Sequence, residues 1–288
     1  MKRTIAFIAL AAAFAIASTA AQAQLYATGP VVNGHYHLNA SDIDAQKRFW
    51  VDTLGGKAAT FGTGTPIVMF PNALIFFRDQ APTAGSIGST VDHVGFAVPN
   101  LRAVIDKLDA AGYEIVTAAQ SPPGSNVVDG IRVVGGNGPV TGVSYVLGPD
   151  DIKVEVLEMR GQQEPIVSHH LHFFGNEAEA MRTWYADIFG AEPQAGAANG
   201  FVVATLPGLN LNFTPTANAT VGTKGRVLDH IGFEVEDLKS FLAGVEAKGI
   251  TPDVPYREIP GAGVAIAFIS DPWGTSIELT QGLDSIGK

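Results

Sequence analysis

The stretch Val91–Val98, with the sequence VDHVGFAV, returns in altered form three more times along the chain. Each copy is a short apolar run that carries a histidine, a pattern that predicts a β-strand. The other copies are VNGHYHLNA at 32–40, SHHLHFF at 168–174 and LDHIGFEV at 228–235. Their marker histidines are His35, His93, His170 and His230. A fourfold internal repeat therefore organises the sequence.

A helix is predicted after each of these strands. An acidic or amide residue lies seven positions after each marker histidine, where such a side chain can cap the first turn of a helix. These residues are Asp42, Asn100, Glu177 and Asp237. Glycine ends each helical pattern, at Gly55, Gly112, Gly190 and Gly249. About three short β-type runs follow each helix, so the sequence predicts an α+β fold of four βαβββ modules, numbered 1 to 4 below.

The spacing of the modules predicts two domains. The first two marker histidines lie closer together than the second and third, and the last two are again close. We expect modules 1 and 2 to form one domain over 30–160, and modules 3 and 4 to form a second over 165–282. The boundary should lie near 160–164.

The first 23 residues have the pattern of an export signal. Lys2 and Arg3 precede an apolar run at 5–16, and the small residues Ala21 and Ala23 flank a cleavage position before Gln24. The apolar run is shorter than the ~20 residues needed to cross a bilayer, so no membrane span is expected. The sequence predicts a periplasmic or secreted protein.

The composition limits the partners. The formal net charge is −10 and becomes −12 once the two cations of the signal leave. An acidic surface repels phosphate backbones, which makes nucleic acid an unsuitable partner. The absence of cysteine excludes disulfides and thiolate chemistry. A small-molecule substrate is the expected partner, and a homodimer is compatible with the sequence.

Three motifs resemble the vicinal oxygen chelate superfamily, which includes glyoxalases, bleomycin-resistance proteins and extradiol dioxygenases. Two are helix ends, FWVDTLG at 49–55 and WYADIFG at 184–190. The third is DPWGTSIE at 271–278, which resembles the family's turn into a strand with a metal-binding glutamate, and GPDDIKVE at 148–155 is a weaker copy. The resemblance covers nearly the whole chain after the signal. It implies paired modules whose sheets curl into open cups around a divalent metal.

The resemblance also implies the metal ligands. They are His35, His93 and Glu155 in the first domain, and His170, His230 and Glu278 in the second. Two imidazoles and one carboxylate suit Fe²⁺ or Mn²⁺, with Zn²⁺ or Ni²⁺ also able to bind, and no organic cofactor is expected. A lone histidine on an apolar strand is more often a core residue, but both halves keep all three ligand types.

Three more residues are candidates for catalysis. His37 and His172 lie two residues after a predicted ligand and should share its face, either for proton transfer or as polar filling of the cup. Tyr145 lies ten residues before Glu155, where the resemblance to extradiol enzymes implies a tyrosine near the substrate. His169 is expected to face away from the cup, as a structural residue.

The predicted activity is dioxygenase-like, and two alternatives stay open. A glyoxalase-type lyase would need a fourth ligand on the last strand of modules 1 and 3, but 73–77 and 209–213 hold no carboxylate. Asn210 or Asn212 would have to serve instead. The other alternative is a drug-binding protein of the bleomycin-resistance type, which uses the same cup without catalysis.

The export signal makes a direct prediction. When the protein is produced with its own leader, mass spectrometry of the periplasmic fraction should find a chain that begins at or next to Gln24, because the charged start, apolar run and small-residue site occur together. An exported product that retains residues 1–23 would contradict the prediction.

Overall fold

The structure is a computed structural model that describes residues 29–195 and 201–286. The predicted export signal at 1–23 lies outside the described residues. Within the described part of the chain, no helix combines the length and the apolar character needed to cross a bilayer.

The first half of the chain contains modules 1 and 2. Module 1 consists of β1 (Val31–Ala40), α1 (Ile43–Lys47) with a π-helical continuation (Arg48–Thr53), β2 (Lys57–Phe61), β3 (Thr65–Phe70) and β4 (Ala73–Asp79). Module 2 consists of β5 (Val91–Val98), α2 (Leu101–Ala110), β6 (Glu114–Ile115), α3 (Thr117–Gln120), β7 (Val127–Val128), β8 (Ile131–Val133), β9 (Val140–Leu147), a 3₁₀ turn (Pro149–Asp151) and β10 (Lys153–Met159).

The second half contains modules 3 and 4. Module 3 consists of β11 (Val167–Gly175), α4 (Ala178–Phe189), β12 (Glu192–Gln194), β13 (Val202–Leu206) and β14 (Leu209–Pro215). Module 4 consists of β15 (Leu228–Val235), α5 (Leu238–Ala247), β16 (Val254–Ile259), β17 (Val264–Ser270), β18 (Ser276–Gln281) and a final 3₁₀ turn (Leu283–Ser285). The predicted α+β class and the four βαβββ modules are confirmed.

The predicted caps explain where the helices begin and end. Asp42, Asn100 and Asp237 each accept a hydrogen bond from a backbone N–H in the first turn of the helix that follows. Glu177 lies at the start of α4 but makes no such bond; its carboxylate accepts from Trp273 Nε1 instead. The four predicted glycines all have positive φ, which lets the chain leave each helix without strain.

The strands form two sheets, and their pairing corrects the predicted association of modules. One sheet has the order β16-β17-β18-β15-β1-β4-β3-β2, which joins modules 4 and 1. The other has the order β12-β13-β14-β11-β5-β10-β9-β8-β7, with β6 on β9, and joins modules 3 and 2. In each sheet the first strands of two modules pair antiparallel, β1 with β15 and β5 with β11. The expectation that consecutive modules share a cup is therefore wrong, because each sheet takes one module from each half of the chain.

Consecutive modules contact each other through their helices, although they do not share a sheet. Modules 1 and 2 contact each other on the helical side, where the rings of Phe49 and Tyr113 lie 4.9 Å apart. Modules 3 and 4 do the same, with 4.6 Å between the rings of Phe189 and Phe233. These aromatic residues belong to one buried cluster that draws on all four modules. Consecutive modules thus pack through their helical faces, and their strands pair across the halves.

Buried polar contacts also connect the two sheets. The Tyr36 hydroxyl lies 2.5 Å from Ser168 Oγ, and burial raises the pKa of Tyr36 to about 12. The Asn72 side chain accepts from the Ser168 N–H and donates to its carbonyl. Tyr185 donates to Asp271 over 3.0 Å. Each bond joins a residue of one sheet or its helices to the other, so the sheets have a fixed relative position.

This strand exchange predicts how the chain behaves when it is cut. A specific protease site inserted after Gly161, in the exposed linker between β10 and β11, should yield two fragments that stay associated. They should stay together because the β1–β15 and β5–β11 ladders both cross the cut. Size-exclusion chromatography before and after denaturation measures this, and elution as two separate folded fragments would contradict the pairing.

Candidate metal centres

Two clusters of histidine and glutamate lie on the concave faces of the sheets. Centre A, in the sheet of modules 1 and 4 (cup A), consists of His35, His37, His230 and Glu278. Centre B, in the sheet of modules 2 and 3 (cup B), consists of His93, Glu155, His170 and His172. In each cluster the four potential ligand atoms all lie within 4.8 Å of one another.

Strand register brings these residues together. The antiparallel ladders place His37 opposite His230 and His172 opposite His93. The parallel ladders place each glutamate, Glu155 or Glu278, beside the glycine two residues after a histidine. Because side chains alternate along a strand, all four residues of a cluster point into the same cup.

The structure regroups the predicted ligands. His35 was expected to join His93 and Glu155, and His170 was expected to join His230 and Glu278. Instead His35 lies with His230 and Glu278, and His170 lies with His93 and Glu155. The two grouped sets are wrong for one reason: each cup is built from one module of each half. All six residues nevertheless lie in the two clusters, each of which holds two of the predicted histidines, one predicted glutamate and a further histidine.

Two glycines make room for the histidines that face them. A Cβ on Gly95 would lie 2.0 Å from Cε1 of His170, and a Cβ on Gly232 would lie 2.1 Å from Cε1 of His35. No side chain fits at such distances. The glycine in the His-x-Gly pattern of modules 2 and 4 is therefore required to make room for the histidine ring on the paired strand.

In centre B the histidines converge on Glu155. Its Oε2 lies 2.9 Å from His93 Nε2 and 3.4 Å from His170 Nε2. Burial alone would raise the pKa of Glu155, but the charges and hydrogen bonds of His170 and His93 outweigh it and hold the pKa well below its usual range. The carboxylate is therefore anionic and ready to bind a cation.

Each histidine of centre B has a second ring nitrogen held by a partner outside the cluster. His93 Nδ1 lies 2.7 Å from Asp92, His170 Nδ1 lies 2.9 Å from His169 Nδ1, and His172 Nε2 lies 2.7 Å from Thr214 Oγ1. Metal-binding histidines are oriented by such contacts. Burial, followed by the charges of His93 and His170, lowers the pKa of His172 well below its usual value, so its ring is neutral.

Centre A has the same inner residues but fewer outer partners. Glu278 Oε2 lies 3.0 Å from His35 Nε2 and 2.9 Å from His230 Nε2, and Asp229 lies 2.7 Å from His230 Nδ1. His35 Nδ1 is buried without a hydrogen-bond partner. Arg78 occupies the register position that Thr214 has in module 3. Centre B has three outer contacts to its histidines, and of these centre A has the equivalent of one, the contact between the aspartate and the histidine that follows it.

In centre A, as in centre B, burial and the neighbouring side chains together set the pKa values of the cluster residues. Burial would raise the pKa of Glu278, but hydrogen bonds from His230 and His35 outweigh it and lower the pKa well below its usual range. Burial, with His230 and His35 nearby, lowers the pKa of His37. Burial opposes charging of His230, yet its bonds to Asp229 and Glu278 raise its pKa.

The two cups have different linings. Cup A is apolar on both sides, and Leu283 of the final 3₁₀ turn is buried in it. The buried members of this lining are Ile67, Leu74, Phe76, Val264, Ile266 and Leu283. Cup B has a small apolar cluster on the module 2 side, with Val143 and Leu157, and polar residues of β14 on the other. Cup B is thus the one that offers both polar and apolar contacts.

The residues of both centres fit a divalent cation. The donor set of imidazole nitrogens and one carboxylate suits Fe²⁺, Mn²⁺ or Zn²⁺. In centre B, His172 Nδ1 is buried without a hydrogen-bond partner. An unpaired buried nitrogen costs about 1–3 kcal/mol, and coordination would remove that cost.

The structure also locates the other candidates. Tyr145 lies in cup B, with its ring 5.5 Å from that of His93, and it is paired with Glu155 across the ladder of β9 and β10. Burial and the charge of Glu155 raise the pKa of Tyr145, so it keeps its proton. The corresponding residue of cup A is Phe268, 5.1 Å from His230.

The expectation that His169 faces away from the cup is wrong. The ladder of β5 and β11 skips His169, which marks a β-bulge, and a bulge breaks the alternation on which the expectation relied. Its ring contacts His170 and lies 3.3 Å from Asn210. Burial and the neighbouring His170 lower the pKa of His169 to about 4.

Sequence reasoning missed several supporting residues. Asp92 and Asp229 orient a centre histidine, and the buried Lys153 lies 2.6 Å from Asp92. The repeated Asp-His dipeptide of modules 2 and 4 is a signal that could have identified the aspartates. Thr214 could not be found in this way, because its contact with His172 depends on pairing between distant strands.

Comparison with known families matches two segments, 33–156 and 167–279, to the Glyoxalase/Bleomycin resistance protein/Dioxygenase superfamily. Because the match covers most of the chain, the protein belongs to this superfamily. Each matched segment spans two consecutive modules. Comparison with curated proteins finds no sequence match.

Two solved structures illustrate the shared fold. Glyoxalase I from Zea mays aligns with a TM-score of 0.66 at 14% identity, over 88% of this chain and 94% of the other. A presumed dioxygenase from Bacillus subtilis aligns with a TM-score of 0.63 at 13% identity, over 86% of this chain and 84% of the other. At such identities the likeness concerns the fold alone.

The close approach at Gly95 predicts a selective loss of metal. Gly95→Ala should displace the His170 ring and lower metal uptake at centre B by at least about tenfold, because a histidine that loses its orientation loses affinity. Competition with a coloured chelator measures the affinity. Gly244→Ala is the control, since a Cβ there meets no atom within 4 Å and alanine favours the helix. Equal metal affinity in the two variants would contradict the proposed arrangement.

Proposed function

We propose that the protein is a metal-dependent enzyme that acts in cup B on a small organic molecule with two neighbouring oxygen atoms. The observation that carries the proposal is centre B. Three histidines converge with one anionic glutamate, and each histidine is oriented by a partner outside the cluster. Such outer partners are typical of metal-binding histidines, whose rings they orient.

Cup B is favoured over cup A by its lining. The apolar side chains of Val143 and Leu157 can cover a carbon skeleton, and the Tyr145 hydroxyl and Asn212 amide can bind oxygen atoms. Ligand sites commonly combine apolar walls with a few convergent polar groups. Cup A offers an apolar lining that already contains Leu283 of its own chain.

Residues of cup B have distinct roles in this proposal. A divalent ion held by centre B would supply Lewis-acid chemistry to the oxygens of the substrate. Tyr145 keeps its proton and donates a hydrogen bond to a substrate oxygen near Glu155. Lys153 and Asp92 keep the His93 ring in one orientation, since they form a buried chain of contacts with it.

Dioxygenase-like chemistry is the first candidate activity, with Fe²⁺ or Mn²⁺. It is supported by the position of Tyr145, which is paired with Glu155 in cup B, whereas Phe268 is paired with Glu278 in cup A. A phenol beside the metal-binding carboxylate can orient a hydroxylated substrate.

A glyoxalase-type lyase or isomerase is the second candidate, with Zn²⁺ or Ni²⁺ as well as Mn²⁺. It is supported by a fourth potential ligand atom, from His172, within 4.8 Å of the other three in centre B. Such enzymes move a proton on the chelated substrate and need no dioxygen. We also propose that either activity operates outside the cytoplasm, on the basis of residues 1–23.

Removal of the Glu155 charge tests whether this carboxylate binds the metal directly or contributes only general negative charge. Glu155→Gln should lower metal affinity at centre B by more than about tenfold, because the remaining ligands are neutral and leave the charge of the ion uncompensated. Glu158→Gln is the matched control: its carboxylate accepts bonds from Leu101 N–H and Thr141, outside the centre. Elemental analysis and isothermal titration calorimetry measure the difference, and equal affinities would refute the role of Glu155.

Turnover distinguishes the candidate activities. The protein reconstituted with Fe²⁺ should consume dioxygen with at least one catechol, which an oxygen electrode detects, and Glu155→Gln should abolish the signal. Conversion of a hemithioacetal without oxygen uptake would favour the glyoxalase-type candidate. Tight binding of such molecules without turnover, or without metal, would favour a binding protein and overturn the proposal.

A further inference from the structure

We infer that His172 is a fourth metal ligand of centre B, in the position left by a missing glutamate on the last strand of module 3. The inference rests on the proposed metal dependence of this centre. It assigns His172 a coordinating role in place of the proton transfer or polar filling expected from the sequence.

Strand register shows the exchange of residues. In module 2 the last strand carries Glu155, which lies beside Gly95 on the first strand. The corresponding pair in module 3 is Asn212 beside His172. A neutral amide thus replaces the carboxylate on one strand, and an imidazole replaces the glycine on its neighbour. The donor lost from the last strand is compensated by one gained on the first.

Geometry places the imidazole at the centre. The ring of His172 lies 4.6 Å from that of His93 and 5.7 Å from that of His170. Its Nε2 lies 2.7 Å from Thr214 Oγ1, so Nδ1 is the nitrogen that remains available. Nδ1 is buried and has no hydrogen-bond partner. An imidazole whose free nitrogen lies within 4.8 Å of the other three ligand atoms is placed to bind the same divalent ion.

Module 1 provides an internal contrast. His37 occupies the same register position in cup A, but Arg78 stands where module 3 has Thr214. A threonine hydroxyl can accept a hydrogen bond from the outer N–H of a coordinating imidazole, and a guanidinium cannot. An outer acceptor for this fourth imidazole is therefore a feature that centre B has and module 1 does not offer at the same register position.

The experiment counts imidazoles around a bound ion. The full-length protein with centre A removed by His230→Gln and Glu278→Gln is stripped of metal and titrated with Co²⁺. Cobalt-edge X-ray absorption and visible spectra report the number and type of ligands, and calorimetry gives the affinity. Circular dichroism confirms that each variant is folded.

We expect three imidazoles in this background and two after the further change His172→Gln, with an affinity at least about tenfold lower. Thr214→Val should keep three imidazoles and lower the affinity by roughly 10- to 100-fold, the usual effect of losing an outer partner. Thr216→Val, beyond the end of β14, should change neither quantity.

A rescue tests the exchange of strands directly. Asn212→Glu added to His172→Gln restores a carboxylate at the last-strand position, so the affinity should return towards that of the background protein. A merely structural role of His172 would not be rescued by a carboxylate on the neighbouring strand. Failure of a folded double variant to regain affinity would overturn the equivalence of the two positions.

The outcomes separate the inference from the function on which it rests. If the background protein and His172→Gln show the same two imidazoles and the same affinity, His172 is not a ligand, although centre B still binds metal. If the background protein binds no Co²⁺, both the inference and the proposed function are wrong.

Discussion

Both centres depend on the antiparallel pairing of the first strands of two modules, β1 with β15 and β5 with β11. This pairing places a histidine of one module opposite the glycine of the other, so that a ring fits where a Cβ would clash. It also brings together ligands that lie far apart in the sequence. A slip of one residue would turn every histidine towards the aromatic core, and buried apolar faces resist such a slip.

One shared frame supports two different sites. Each odd-numbered first strand has a bulge, and the residue skipped there is Gly34 in module 1 and His169 in module 3. As a result, Nδ1 of His170 in centre B contacts the ring of His169, whereas Nδ1 of His35 in centre A has no hydrogen-bond partner. The pseudo-symmetric fold thus permits specialisation of one cup.

The buried charges of the centres are compatible with stability because each has a partner. Asp92 contacts both His93 and Lys153, and the buried lysine also donates to Gln120. Removing one member of such a buried pair typically costs about 3–5 kcal/mol, since the remaining charge stays in a low-dielectric environment. The supporting residues thus restrict the orientation of His93 before any ligand arrives.

The sequence by itself determined the repeat unit, the helix boundaries and the chemical type of each candidate ligand, because these depend on short-range periodicity, capping and residue chemistry. The recurring histidines and the family resemblance also led to six candidate ligands, all of which the structure places in the two clusters. Only the tertiary structure decided which module pairs with which, and therefore which histidines share a glutamate. In the structure Phe49 packs on Tyr113 and Phe189 packs on Phe233, while the first strands of the modules pair across the halves. Such long-range packing leaves no periodic signal in the sequence, and the same holds for the bulge at His169 and the contact of Thr214 with His172.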